Sequence, residues 1–140
     1  MNRLRSSFLA LGLLLAVSAA QAQEPNVKAN IPFDFVVGNE TLPAGEYLVT
    51  SEGSSNQVIL IRASEGKAVA LALGFHCSSG KPSETTKLVF HTLAGRYFLS
   101  QIWTQGYDQG RQLPRSKTET QLAKNNNPNG EFVLAANVSH

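Results

Sequence analysis

The chain has 140 residues, of which 12 are Lys or Arg and 10 are Asp or Glu, for a formal charge of +2 at neutral pH. Residues 1–22 account for the excess, because they hold Arg3 and Arg5 and no acidic residue, so residues 23–140 carry ten charges of each sign. A balanced surface has no general attraction for phosphate backbones or anionic lipid, which argues against nucleic acid as a partner.

The first 22 residues read as a secretory signal peptide. Arg3 and Arg5 supply the positive n-region, the apolar run over 8–17 is too short to cross a bilayer, and Ala20-Gln21-Ala22 sets small residues before a cleavage ahead of Gln23. The expected product, residues 23–140, is a single domain of 118 residues, long enough to bury about two thirds of its unfolded surface without disulfides. It is expected to be secreted, periplasmic or extracellular, with no transmembrane segment. The sequence contains one cysteine, Cys77, so no internal disulfide can form. A lipoprotein is not expected either, because Gln23 stands where the lipid-bearing cysteine would be.

Over 27–37, Val27, Ala29, Ile31, Phe33, Phe35 and Val37 alternate with residues that include Lys28, Asn30, Pro32 and Asp34, the period of a strand with one buried face. Pro32 cannot donate to a ladder, so this strand is expected at an edge or with the Pro32 nitrogen facing solvent. Gly38-Asn39 and Pro43-Ala44-Gly45 punctuate the way to a second strand over 46–50. Turns at 52–56 and 64–67 bracket Val58-Ile59-Leu60-Ile61 and lead into an apolar run over 68–75. Both runs are continuous rather than alternating, which predicts strands covered on both faces, as in the middle of a sandwich.

A polar loop is expected over 76–85, then strands over 87–91 and 97–103 joined through Ala94-Gly95. Simple alternation places Tyr97, Leu99, Gln101 and Trp103 on one face of the second strand and Phe98, Ser100 and Ile102 on the other. Ser116-Lys117-Thr118-Glu119 has capping-box form and predicts about two helical turns over 117–124. The Asn-rich stretch 125–130 stops that helix, and 132–136 reads as a last strand or a tail. The domain core is expected over about 27–123, with a flexible C-terminal segment over 124–140. Short strands, Gly-rich turns and one short helix predict an all-β fold, an antiparallel β-sandwich of immunoglobulin-like or small barrel-like form.

Ile31-Pro32-Phe33-Asp34-Phe35-Val36-Val37-Gly38, Leu42-Pro43-Ala44-Gly45-Glu46-Tyr47, Gly95-Arg96-Tyr97-Phe98-Leu99-Ser100-Gln101-Ile102-Trp103 and Leu113-Pro114-Arg115-Ser116 together resemble a family of small, secreted, uncharacterised bacterial β-rich proteins. The resemblance covers most of 27–123. It implies a signal peptide and a compact β-rich domain, and it implies no activity. The Leu-Pro-Ala-Gly-Glu-Tyr corner also resembles turns in immunoglobulin-like and prealbumin-like surface modules, a likeness of fold only.

No chemical motif stands out. His76, His91 and His140 are too scattered for a metal centre, no Cys-x-x-Cys or His-x-x-x-His pair exists, and no metal or cofactor is expected. His76 and Cys77 are adjacent, and neighbours on an extended chain point to opposite faces. No serine lies in a Gly-x-Ser-x-Gly elbow, and no catalytic residue is assigned. The candidate ligand-binding residues are Trp103, Tyr107 and Asp108, because an aromatic ring stacks on the apolar face of a sugar and an acidic neighbour satisfies its hydroxyls. The competing account makes Trp103 core packing between two sheets. The expected function is that of a non-enzymatic module acting through protein or glycan contacts in the cell envelope. The alternative is a small secreted hydrolase with a site assembled from loops.

Overall fold

The computed structural model describes residues 25–53, 55, 57–125 and 130–139. The expected leader and its cleavage point at Ala20, Ala22 and Gln23 lie outside them. Among the described residues the chain is an all-β sandwich of two facing sheets with one short helix near the C-terminus, and no helix is long and apolar enough to cross a membrane.

The alternation after Pro25 builds β1 (Asn26–Ile31), which buries Val27, Ala29 and Ile31. The strand expected over 27–37 is in fact two strands in different sheets. Without an N–H, Pro32 ends the ladder just past the Ile31–Gly45 pair, and the chain crosses over to become β2 (Phe35–Val37). Nor does Pro32 mark an edge strand, since β1 has neighbours on both sides and Pro32 sits exposed in the corner beyond it. Gly38, at φ 59°, then turns the chain into β3 (Glu40–Leu42).

The chain returns to the first sheet for β4 (Gly45–Glu52), β5 (Val58–Ala63) and β6 (Val69–Leu73), then crosses again at Gly74 into β7 (Phe75–Ser78). Gly74 is required by space, because a Cβ there would meet Ile59 Cγ1 at 2.7 Å. The polar stretch expected as a loop over 76–85 thus begins as a strand, held by pairing with β10 (Gln109–Gln112). Between them come β8 (Lys87–Leu93) and β9 (Arg96–Trp103), and after them α1 (Lys117–Asn125), β11 (Gly130–Ala135) and β12 (Asn137–Ser139). The segment read as strand or tail therefore supplies two strands, β11 against β8 and β12 against β1.

One sheet runs β12-β1-β4-β5-β6, all antiparallel. The other runs β11-β8-β9, after which β9 shares its far edge: β10 pairs along its end, with β7 beyond, and β2 pairs in parallel along its start, with β3 beyond. Phe35, Tyr47, Ile59, Ile61, Leu88 and Phe90 fill the space between the sheets. The corner after β3 is pinned from both sides, since the Tyr47 hydroxyl donates to the Pro43 carbonyl at 2.6 Å and Ala44 N–H donates to Asp34 Oδ1 at 3.0 Å.

The apolar run over 68–75 does not mark a doubly covered strand. β6 ends its sheet, and Val69, Leu71 and Leu73 are 47%, 62% and 55% exposed. Its inward residues are the small Ala70 and Ala72, so the bulky half of the strand is the half facing out.

Candidate functional site

A register slip between β8 and β9 decides which side chains meet on the outer face of the second sheet. Phe90 pairs with Leu99 and Val89 with Gln101, which leaves Ser100 as an extra residue. Such a bulge shifts the in–out alternation by one. Tyr97, Leu99 and Ile102 therefore face the core. Trp103 does not share their side, as unbroken alternation predicted. It shares the outer side with Gln101, to whose Oε1 its Nε1–H donates at 2.9 Å. The indole lies across Gly110, where a Cβ would come within 2.8 Å of the ring.

Ser100 keeps the outer side that it shares with Phe98, whose cross-strand partner is His91. The Ser100 hydroxyl lies 3.1 Å from His91 Nε2, and His91 Nδ1 lies 2.6 Å from Glu119 Oε1. With its proton on Nδ1, the ring donates to the carboxylate and accepts the hydroxyl, a tautomer assigned from these bonds. Glu119 comes from the first turn of α1, whose start is fixed as the capping box predicts: Glu119 N–H donates to Ser116 Oγ at 3.1 Å. The Glu119 carboxylate goes to His91, beside Arg115 Nε at 3.9 Å. Leu122 and Ala123, one turn further on, pack over Val36, Leu93 and Phe98.

Ser–His–Glu in this order is the chemistry of an activated hydroxyl. Catalysis also needs room for a substrate at the nucleophile. Ser100 is only 4% exposed and lines neither adjoining hollow. One, of about 180 Å³, is lined by His91, Leu93, Arg115, Glu119 and Ala123. The other, an open groove of about 460 Å³, is lined by Lys87, Val89, Gln101, Trp103 and Val133. As built, the three residues latch the helix onto the sheet. Sequence reasoning missed them because nothing in the sequence sets the register that pairs His91 with Phe98 or folds α1 over that face. Glu119 was legible only as a cap.

The three residues expected to bind a ligand do not converge. Trp103 is 8% exposed on the groove, exposed Tyr107 lines a narrow cleft with Pro25 and Arg111, and Asp108 lines neither. The Asp108 carbonyl instead accepts Ser79 N–H at 3.1 Å. His76 and Cys77 do part to opposite faces: His76 sits opposite Arg111, whose Nη1 donates to its Nδ1 at 2.6 Å, while Cys77 sits opposite Gly110. Among the described residues, no group of three or more His, Cys, Asp or Glu side chains is placed to hold a metal ion.

A mainly apolar surface lies on the other sheet. Its outward residues form three cross-strand rows over β4, β5 and β6: Glu52-Val58-Leu73, Thr50-Leu60-Leu71 and Leu48-Arg62-Val69. Six of the nine are large and aliphatic; Val69, Leu71 and Leu73 are exposed, and Leu48, Val58 and Leu60 are half-buried. Comparison of the chain with protein-family models, with curated proteins and with solved structures finds no match.

Proposed function

We propose that the protein is a secreted, non-enzymatic β-sandwich that works in the cell envelope through protein contacts made by the outer face of β4–β6. One observation carries this reading: β6 has the continuous apolar sequence of a strand covered on both faces, yet its outward Val69, Leu71 and Leu73 are exposed, beside half-buried Val58 and Leu60 of β5. A contiguous apolar patch on a soluble domain is a usual mark of an interaction surface. The leader-like residues 1–22 support secretion. Glycan contacts have less support, because the Trp103 ring is nearly buried and stands apart from Tyr107 and Asp108.

The test is native mass after gentle fractionation of the host envelope, for the natural protein and for Leu71→Asp. The reading expects the natural protein in a species larger than a monomer and the variant released from it. Two monomers of equal mass would overturn it.

A second reading, the small hydrolase, has the Ser100–His91–Glu119 geometry behind it. It requires Ser100 to become reachable. Labelling by a fluorophosphonate probe that is lost in both Ser100→Ala and His91→Ala would establish it, and no labelling of the native protein would remove it.

A further inference from the structure

We infer that the apolar face of β4–β6 is covered by the same face of a second copy of this chain, related by a two-fold axis that runs across the strands through the Leu60–Leu71 row. The inference rests on the docking reading above and names its partner.

The register supplies the argument. The three outward rows are chemically lopsided, with Glu52 at one end of the patch, Arg62 at the other, and Leu60 and Leu71 in the middle. Turning a second copy about an axis along the middle row leaves Leu60 and Leu71 facing their own counterparts and exchanges the outer rows. Arg62 of each copy then lies over Val58 of the other, beside Glu52. Leu73 meets Val69. Symmetry makes the ion pair twice, once at each end, and keeps the centre apolar, as an isologous contact between identical patches requires. Thr50 Oγ1 donates to Glu52 Oε1 at 3.1 Å, which places that carboxylate on the outward face.

The free edge of β6 offers a rival contact, and the structure disfavours it. Gly74 N–H donates to the Gln57 carbonyl, and Ala63 N–H to the Ala68 carbonyl. In an antiparallel ladder these bonds make Ala72–Ile59 and Ala70–Ile61 the bonded pairs, so the backbone groups of Val69, Leu71 and Leu73 point off the edge. An unpaired apolar edge invites strand addition. Here the turn at Gly38 blocks its centre, where a Cβ would lie 3.7 Å from the Leu71 carbonyl oxygen. The face remains open.

The patch is small. Three strands about 4.8 Å apart and five residues of about 3.4 Å each span roughly 14 by 17 Å, short of the ~800 Å² per partner of a standard stable interface. The dimer is accordingly weak and concentration-dependent.

Sedimentation equilibrium of the naturally processed protein over a wide concentration range tests this. Association that Leu71→Asp abolishes, that Arg62→Glu weakens by about tenfold or more, and that Arg62→Glu combined with Glu52→Arg restores, is the expected result. These side chains are on the surface, and circular dichroism of each variant checks that the fold is kept. Association insensitive to Leu71→Asp, or not restored by the charge swap, would overturn the two-fold arrangement. A protein that stays monomeric throughout, yet leaves its host's envelope particle when Leu71→Asp is introduced, overturns the second copy as partner and leaves the docking reading standing. Monomers in both settings remove both.

Discussion

Replacing Glu119 with Ala removes the carboxylate that receives His91 Nδ1–H at 2.6 Å under α1. A hydrogen bond to a charged group contributes about 1.5–3 kcal/mol, and a donor left without a partner loses its solvation as well. His91 keeps 28% of its side chain exposed, so water replaces part of the lost bond and the lower half of that range applies. Arg115 adds little, since it stands 3.9 Å away and is largely exposed. The expected loss for Glu119→Ala is therefore about 1.5–2 kcal/mol. Glu119→Gln keeps an oxygen at similar reach but no charge; because charge-assisted bonds are roughly twice as strong as neutral ones, it should lose about 1 kcal/mol. Urea denaturation at constant slope gives both values. Hydrogen exchange at residues 117–125 should show the helix losing protection before the sheets. Equal losses in the two variants, or stabilities within about 0.5 kcal/mol of the parent, would show that the carboxylate does not hold the helix down.

Ala94 lies at φ 52° in the two-residue turn between Leu93 and Arg96, with Gly95 at φ 72°. Asn tolerates that conformation better, so Ala94→Asn should raise stability by about 0.5–1 kcal/mol, seen as a higher thermal midpoint; a lower one would contradict the turn geometry. Gly74→Ala forces a Cβ to within 2.7 Å of Ile59 Cγ1 and should cost about 1–3 kcal/mol. Ile59→Ala in the same chain should recover part of that loss, whereas strict additivity would mean the two residues do not touch. Burial, with repulsion from Asp34, holds the Tyr47 hydroxyl above its ordinary 10.0, and burial holds the Cys77 thiol above 9.0 against the opposing effects of Gly110 and Arg111. The unfolded chain gives up these protons first as pH rises, so both contributions are whole below about pH 9 and fade through the raised folded values. Unfolding free energy should decline in alkali, less steeply in Tyr47→Phe and Cys77→Ser; an increase with pH would reverse the sign.

The elements that declare themselves in sequence are those whose local chemistry agrees with their tertiary place. β4, β8 and β9 carry apolar side chains between Gly-containing turns, and α1 starts at the serine its capping box names. β10 was illegible because Gln109, Gly110, Arg111 and Gln112 include no aliphatic or aromatic side chain; it is a strand because β9 and β7 flank it. The apolar run of β6 reads as a strand buried on both faces, yet β6 ends its sheet and Val69, Leu71 and Leu73 are exposed, because continuous hydrophobicity does not tell an inner strand from an end strand with an apolar outer face. Ser100 is the sharpest case. A single extra residue reverses the face of Trp103, yet no residue type in Phe98-Leu99-Ser100-Gln101 signals it.

The pairing of β12 with β1 joins Ser139 to Asn26, the last strand to the first. The first sheet is not complete until residues 137–139 pair with β1, whatever the intervening chain has done. Such non-local closure slows folding, because the entropy of bringing distant ends together is lost before the contacts repay it. Because β1 and β12 lie side by side, a short linker between them, with new ends opened in an exposed turn such as the one around Gly66, defines a circular permutant of residues 26–139.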